Sequence, residues 1–332
     1  MANERAGAPV TIYDIAAKVG VNASTVSRAL NSPGRVSART AERVKQAAAE
    51  LGYRTNLMAR SLQTGQTGSL GLVLSDITNP VYFDIIRGAE NVAAQNGLML
   101  VLAETQEDPD SERAILEKMQ ISTDGIIVGG SRLGDEELLA FAEGKPLMLL
   151  NRRVEGIDAI APRVGPGIEQ AVDLLAKHGH TSLAYVAGPR ESWSNTARWE
   201  AVFEAAVAHG FTVTEVAAAE PTIEGGSDAW RRVRATGATA VLAYNDLIAM
   251  GLLEAAADAG VRVPDDLSIV GFDDIFGATL TSPKLSTVHM PHTETGMAAV
   301  TLLLDVVEPG ETRQLATSYF VERQSTGPAP TR

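Results

Sequence analysis

From residue 11 to residue 53 apolar side chains return every three or four positions, the interval that gathers them on one face of a helix. In "TIYDIAAKVG" Thr11 is placed to cap a helix with Asp14 three residues on, Ile12, Ile15, Ala16 and Val19 form its apolar face, and Gly20 ends it. "VNASTVSRALN" starts from a capping Asn22 and turns Val26 and Leu30 inward. "SARTAERVKQAAAELGY" starts at Ser37, buries Val44, Ala48 and Leu51, and stops at Gly52, where a left-handed residue closes the helix. Three short helices make a small all-α head.

The rhythm changes at "SLGLVLSDITNP", an apolar strand that breaks at Asn79 and Pro80. Helix "VYFDIIRGAENVAAQNG", strand "LMLVLAE", helix "SERAILEKMQ", strand "GIIVGG", helix "DEELLAFAEG" and strand "PLMLLN" follow. After a Pro/Gly-rich interruption, "APRVGPG", the alternation resumes with strands "SLAYVAG", "AVLAYN" and "LSIVGFDD", separated by helices such as "TARWEAVFEAAVAHG" and "DLIAMGLLEAAADAG". Strands that are apolar throughout and alternate with helices predict parallel sheets covered on both faces, here in two similar lobes with a cleft between them.

Between head and core lies "TNLMARSLQTG", where a polar spacer would be expected. Leu57, Met58 and Leu62 are too apolar for one and too few to bury each other. A helix of about eight residues is shorter than the roughly 12–15 that an isolated helix needs in water, so this segment is expected to form only when something holds it.

Charge divides the chain at the same place. Net charge is -13, yet residues 1 to 64 hold nine Lys/Arg against four Asp/Glu, while the remainder holds 19 against 37. A basic head on an acidic body fits an attached polyanion-binding module; chance clustering explains the numbers equally well. There are no cysteines, so thiolate metal sites and disulfides are excluded. No basic-then-apolar leader pattern opens the chain and no apolar run reaches the roughly 20 residues a membrane span needs, which gives an expectation of a cytoplasmic protein without a membrane partner.

A helix, a turn of about three residues with glycine and a second helix form the helix-turn-helix arrangement, whose second helix enters the DNA major groove. That helix turns Ala23, Ser24, Ser27 and Arg28 outward. Arginine can grip a guanine edge as a fork, worth about 1–3 kcal/mol of discrimination, and Ala23 can offer a methyl contact to thymine. Tyr13, Thr25, Ser27 and Asn31 suit phosphate oxygens. An ordinary solvent-facing helix is the competing reading.

"TIYDIAAKVGVNASTVSRALN" followed by "VSARTAERVKQAAAELGYRTNLMARSL" closely resembles the amino-terminal domain of the LacI/GalR family of bacterial transcription repressors. The resemblance implies base reading by Ala23, Ser24 and Arg28, and a hinge helix whose Ala59 and Leu62 meet the minor groove, with Leu62 wedged into a base step. The core phrases "VAGP", "YNDLIAMGLLEAAADAGVRVPDDLSIVGFDD" and "YFVERQSTGP" resemble the effector-binding core of the same family, related to periplasmic sugar-binding proteins. The resemblance thus implies a helix-turn-helix domain over residues 1–54, a hinge and linker over 55–67, a first lobe over 68–164 plus about 291–316, and a second over 165–290 plus about 317–328.

Open α/β sheets bind ligands beyond the carboxyl ends of their strands. Those ends carry Asp76, Gly129, Asn151 and Arg152 in the first lobe and Gly188, Asn245, Asp246 and Asp273 in the second. Such groups suit a polyhydroxylated ligand such as a sugar. Helix capping is the alternative for Asp246 and one or two others. The family resemblance adds Arg198, Asn245 and Asp273, with Ser192 and Ser194 ahead of Arg198, and Tyr82 as an aromatic position of some members. Trp193 could stack on a sugar ring, whereas Trp199 and Trp230 fall in helical patterns and are expected in the core. Arg163 and Val164 depart from an Asp-Asn pair common in the family, and Asn151 stands where some members are acidic.

No phosphate loop, nucleophile elbow or dinucleotide fingerprint appears. His178 and His180 fit a helix end better than a metal site, and His289 and His292, beside Pro291 where the chain recrosses between lobes, fit hinge packing and chemistry equally well. A secreted sugar-binding protein or a sugar-converting enzyme with an incidental basic head are the alternatives. The expectation is a homodimeric, sugar-responsive repressor on a near-palindromic operator, needing no cofactor, no metal and no catalytic residue. Helix "PVYFDIIRGAENVAAQNG" is a candidate for part of the dimer contact, and "GPAPTR" offers no leucine heptads for a tetramer.

Overall fold

The computed structural model describes residues 10–31, 34–53, 65–304, 312–313 and 317–331. These fall into two compact units, residues 1–67 and 68–332.

In the first unit, helices α1 (Ile12–Val19), α2 (Ala23–Asn31) and α3 (Ala38–Leu51) close around Ile15, Ala16, Val19, Val26, Ala29, Val44, Ala47 and Ala48. The start of α1 is set by Asp14, whose carboxylate accepts from the Thr11 backbone N–H at 2.8 Å and from its hydroxyl at 2.7 Å. Ser37 accepts from the Thr40 N–H at the start of α3, and Gly52, at φ 67°, ends it. Leu30 and Leu51, expected inward, are only partly buried at the rim, with Ala29 and Ala47 taking the centre. So small a core is filled by short side chains.

In the second unit the strands are β1 (Ser69–Leu74), β2 (Met99–Glu104), β3 (Gly125–Gly129), β4 (Leu147–Leu150), β5 (Asp158–Ile160), β6 (Ser182–Ala187), β7 (Thr212–Ala217), β8 (Ala240–Ala243), β9 (Ser268–Asp273), β10 (Ser286–His289), β11 (Thr312–Arg313) and β12 (Tyr319–Val321). One sheet runs β11-β5-β4-β3-β1-β2, all parallel; the other runs β12-β10-β9-β8-β6-β7, parallel except at β10-β12. Central strands β1, β3, β4, β8 and β9 are buried end to end. The helices that cover them are α4 (Val81–Gln95), α5 (Pro109–Ser122), α6 (Asp135–Gly144), α7 (Gly165–Lys177), α8 (Trp193–Ala208), α9 (Ile223–Thr236), α10 (Asp246–Asp258) and α11 (His292–Leu304). The segment expected to be an interruption is partly helix: α7 opens on Gly165, Pro166 and Gly167, and proline is tolerated in a first helical turn.

The chain crosses between lobes near residues 161–164, at 289–292 and before β12, so each sheet takes strands from separated parts of the chain. The second crossing leads into α11, which lies so close on α4 that a Cβ built at Gly88 would stand 2.1 Å from the Thr293 carbonyl oxygen, and one at Gly296 would stand 2.0 Å from that of Ile85. Lobe two repeats the device in α9 and α10, where Gly226 and Gly251 meet the Ile248 and Ile223 carbonyls.

His180 is structural, as its helix-end position implies. It lies within hydrogen-bonding distance of Thr239 Oγ1 at 2.9 Å and of the Gly327 carbonyl at 3.0 Å, tying the last residues to the second lobe. Trp230 is buried and Trp199 packs on the core, as expected.

Candidate DNA-reading face and effector site

On α2, Ser24 and Arg28 are exposed while Ala23, Thr25 and Ser27 are half-buried. Val26 and Ala29 anchor the opposite face, so the core fixes which way the Ser24 and Arg28 side chains can reach. Tyr13, on α1, is 71% exposed. The Asn31 side chain and the hinge positions Ala59 and Leu62, with Leu57 and Met58, lie outside the described residues.

In the core, four of the expected effector residues converge. Asn151 from the end of β4, with Trp193, Ser194 and Arg198 from the first turns of α8, line one cavity of about 20 Å³ between the lobes, together with His292. Asp273, at the end of β9, faces it through Arg198: Nη2 donates to Asp273 Oδ1 at 2.8 Å, and Nη1 donates to the Tyr244 carbonyl. The guanidinium lies 3.8 Å from the Phe272 ring centroid and 4.7 Å from that of Tyr244. Burial works against the Arg198 charge and the facing Asp273 carboxylate outweighs it, holding its pKa above the usual value. Burial pushes the Asp273 carboxyl up while Arg198 pulls it down; at 2.8 Å the pair is read as ionised. Asn151 at φ 58°, Asp273 at φ 104° and Asp274 at φ 58° all hold left-handed backbone, a strain that packed surroundings must maintain.

The other expected residues sit differently. Asp76 lines a second, wider cleft of about 700 Å³ between the lobes, and its carboxylate accepts from Thr78. Tyr82 is turned into lobe one, its hydroxyl 2.9 Å from Ser75 Oγ, and burial raises its pKa. Ser192 caps α8 and lies 3.3 Å from the Tyr244 hydroxyl. Asn245 caps α10, accepting from the Ile248 N–H, and donates to the Pro221 carbonyl at 2.8 Å. The capping role expected of Asp246 thus belongs to its neighbour. Asp246 instead reaches sideways, accepting from the Ile275 N–H and the Thr287 hydroxyl, and burial raises its pKa.

His292 was legible equally as hinge packing or as chemistry, because nothing in its sequence neighbourhood shows that the crossing sets it beside the Arg198–Asp273 pair. It is buried, with Nε2 3.8 Å from Asp273 Oδ1. Burial, then the Arg198 charge and His289, push its imidazole down to about 3 against an upward pull from the Asp273 backbone. The ordinary imidazole of the unfolded chain titrates near 6.5, so below that the unfolded chain binds the extra proton and stability falls as pH falls toward 3. One proton contributes at most about 1.4 kcal/mol per pH unit. Melting curves from about pH 7 to about pH 4.5 are expected to fall less steeply in His292→Phe than in the wild type; parallel curves would contradict the burial of a neutral imidazole.

Two family models match the chain: bacterial regulatory proteins of the lacI family over residues 11–56, and a periplasmic binding protein-like domain over residues 172–326. The ribose operon repressor of Halalkalibacterium halodurans is 34% identical over 302 residues, 90% of each chain. The transcriptional repressor CytR of Escherichia coli is 30% identical over 331 residues, 96% of this chain and 97% of its own. Among solved structures, the Lac repressor dimer bound to operator and the anti-inducer ONPF matches with a TM-score of 0.85 at 26% identity, covering 96% of this chain and 100% of the other. A LacI family transcriptional regulator from Enterococcus faecium with bound ribose matches with a TM-score of 0.71 at 27% identity, covering 78% of this chain and 99% of its own.

A helix-turn-helix head joined to a two-lobed binding core defines a DNA-binding transcriptional regulator responsive to a small molecule. The chain belongs to the LacI family of bacterial regulatory proteins.

Proposed function

We propose that this regulator is a homodimeric repressor that binds a near-palindromic operator and whose operator affinity is modulated by a sugar taken between the two core lobes. The observation that carries the effector part is the buried Arg198–Asp273 pair at the crossing between lobes, where Asn151 approaches Trp193 and Ser194. The named ligands of its relatives support a sugar: the Enterococcus faecium regulator holds ribose, and a solved CelR holds cellobiose. The proposed division into head to residue 54, hinge 55–67 and two lobes, of which 68–164 joins 291–316 and 165–290 joins 317–328, is supported by the strand membership of the two sheets.

Dimerisation is supported by the Lac repressor dimer and by apolar side chains left uncovered. Phe83 on α4 and Met99 and Leu102 on edge strand β2 are exposed, the last two at 60% and 47%, and in lobe two so are Phe276 and Leu280. Apolar residues gathered on an edge strand and a neighbouring helix mark an interface. Each protomer has one recognition helix for one half-site. No helix among the described residues is long and apolar enough to cross a membrane, and a role on bacterial DNA supports a cytoplasmic location.

Ala23, Ser24 and Arg28 are proposed to read bases, Tyr13, Thr25, Ser27 and Asn31 to hold phosphates, and Ala59 and Leu62 to enter the minor groove. Arg28→Ala is expected to lose about 1–3 kcal/mol of base discrimination, roughly 5- to 150-fold, with non-specific binding kept. Competition between operator and random duplex measures this, and unchanged discrimination would remove Arg28 from base reading. Operator affinity of Leu62→Ala tests the hinge in the same assay. Asp76, Tyr82, Asn151, Ser192, Trp193, Ser194, Arg198, Asn245 and Asp273 are the proposed effector residues. Asn151, Trp193, Ser194 and Arg198 are proposed to touch the ligand, and Ser192 and Asn245 to hold its surroundings through their caps. Thermal stabilisation by ribose or cellobiose, and a change of operator affinity in its presence, test the effector reading.

A further inference from the structure

Among the described residues, four buried side-chain polar atoms lack a hydrogen-bond partner, and two of them, Arg198 Nε and His292 Nε2, belong to residues lining the same interlobe cavity. Leaving a buried polar group unpaired is costly, and pairs of such groups in one place need a reason. The reason must suit their charge. The Arg198 charge is already met by Asp273 at 2.8 Å, and the imidazole beside it is neutral at ordinary pH. Around the neighbouring cleft stand Asp76, Glu104, Glu107, Glu191 and Glu220, against Arg132, whose charge is taken by Glu107. A phosphate or carboxylate there would meet surplus negative charge among the lining residues, whose one cation is already paired.

Resting on the effector-site reading above, we infer that the cavity takes an uncharged, hydroxyl-bearing ligand, and that His292 Nε2 is a hydrogen-bond partner this ligand brings into use. A hydroxyl both donates and accepts, so it can accept from Arg198 Nε–H and pair with the His292 nitrogen in either tautomer. Trp193, 37% exposed at the cavity wall, offers an indole face to the carbon side of such a molecule. A space of about 20 Å³ admits no sugar ring, so the ligand must part Asn151 of lobe one from Trp193 and Ser194 of lobe two. The identity of the ligand and the opening of the lobes are thereby linked through one residue, at the first turn of α11.

Two measurements on the full chain test this. First, with no ligand, His292→Phe should raise Tm by about 2–4 °C, because it removes an unpaired buried group at little change in shape; an unchanged or lower Tm would show that Nε2 is satisfied within the fold and would overturn the inference. Second, melting of the wild type is followed with matched probes, ribose against ribose 5-phosphate and glucose against glucose 6-phosphate, with cellobiose added. Stabilisation confined to the uncharged sugars, and reduced at least tenfold in apparent affinity in His292→Phe, is the expected result. Stabilisation by a phosphorylated probe, or affinity undiminished in the variant, would overturn the inference while leaving an effector site in place. A panel in which no probe stabilises the wild type would overturn the sugar reading, and this inference with it.

Discussion

Asp273→Ala is expected to cost the core about 3–5 kcal/mol, the loss seen when one partner of a buried ion pair is removed. Arg198 cannot shed its charge and cannot move to water, because rings of Phe272 and Tyr244 flank its guanidinium and the Tyr244 carbonyl holds Nη1. His292, 3.8 Å from the same carboxylate, offers no replacement anion. A double replacement, Arg198→Met with Asp273→Leu, should recover most of the loss, since removing both charges leaves nothing unpaired. Urea denaturation of the three proteins decides the matter. A loss under about 1 kcal/mol for Asp273→Ala would mean that the pair is solvated in solution.

Gly88→Ala is expected to lose about 3 kcal/mol, the upper end for forcing a methyl group into a packed contact. The new Cβ would stand 2.1 Å from the Thr293 carbonyl oxygen and 3.0 Å from the Met297 nitrogen, both backbone atoms of α11, so no side chain can turn aside to admit it. Relief requires α11 to move away from α4 as a body. A lower urea midpoint with unchanged slope is the expected reading. A midpoint equal to that of the wild type would show that the helices are not in backbone contact. Because α4 carries the exposed Phe83 and α11 begins at His292, the same variant should also weaken dimerisation at low protein concentration.

How far the sequence could be read depended on whether a signal was local. The head's helices were legible because caps such as Thr11 with Asp14 and stops such as Gly20 and Gly52 act within a few residues. Buried strands such as β1 and β9 were legible because both of their faces are covered, leaving uninterrupted apolar runs. Strand β7, "TVTEVA", escaped notice because it is a sheet edge with polar residues turned to solvent. Strand β2 read as buried, yet Met99 and Leu102 are exposed, since β2 is the other edge of its sheet and its run of apolar residues hides that position. At the site, strand ends pointed to Asn151 and Asp273, but the pairing of Arg198 with Asp273, 75 residues apart, is a product of the fold. Asn245 and Asp246 were distinguishable only once Thr287 and Ile275 were in place beside Asp246.

The interleaving of the two lobes has a consequence for synthesis. The head needs nothing beyond its own consecutive helices and can fold as soon as residue 53 has left the ribosome. The core cannot follow piecemeal, because β11 and β12, which complete one sheet each, are separated by five residues near the end of the chain. Both lobes therefore await the same last stretch. A ribosome stalled before residue 312 would hold out a finished DNA-binding head on an unfinished core, so nascent chains are expected to contact DNA singly before they can do so in pairs.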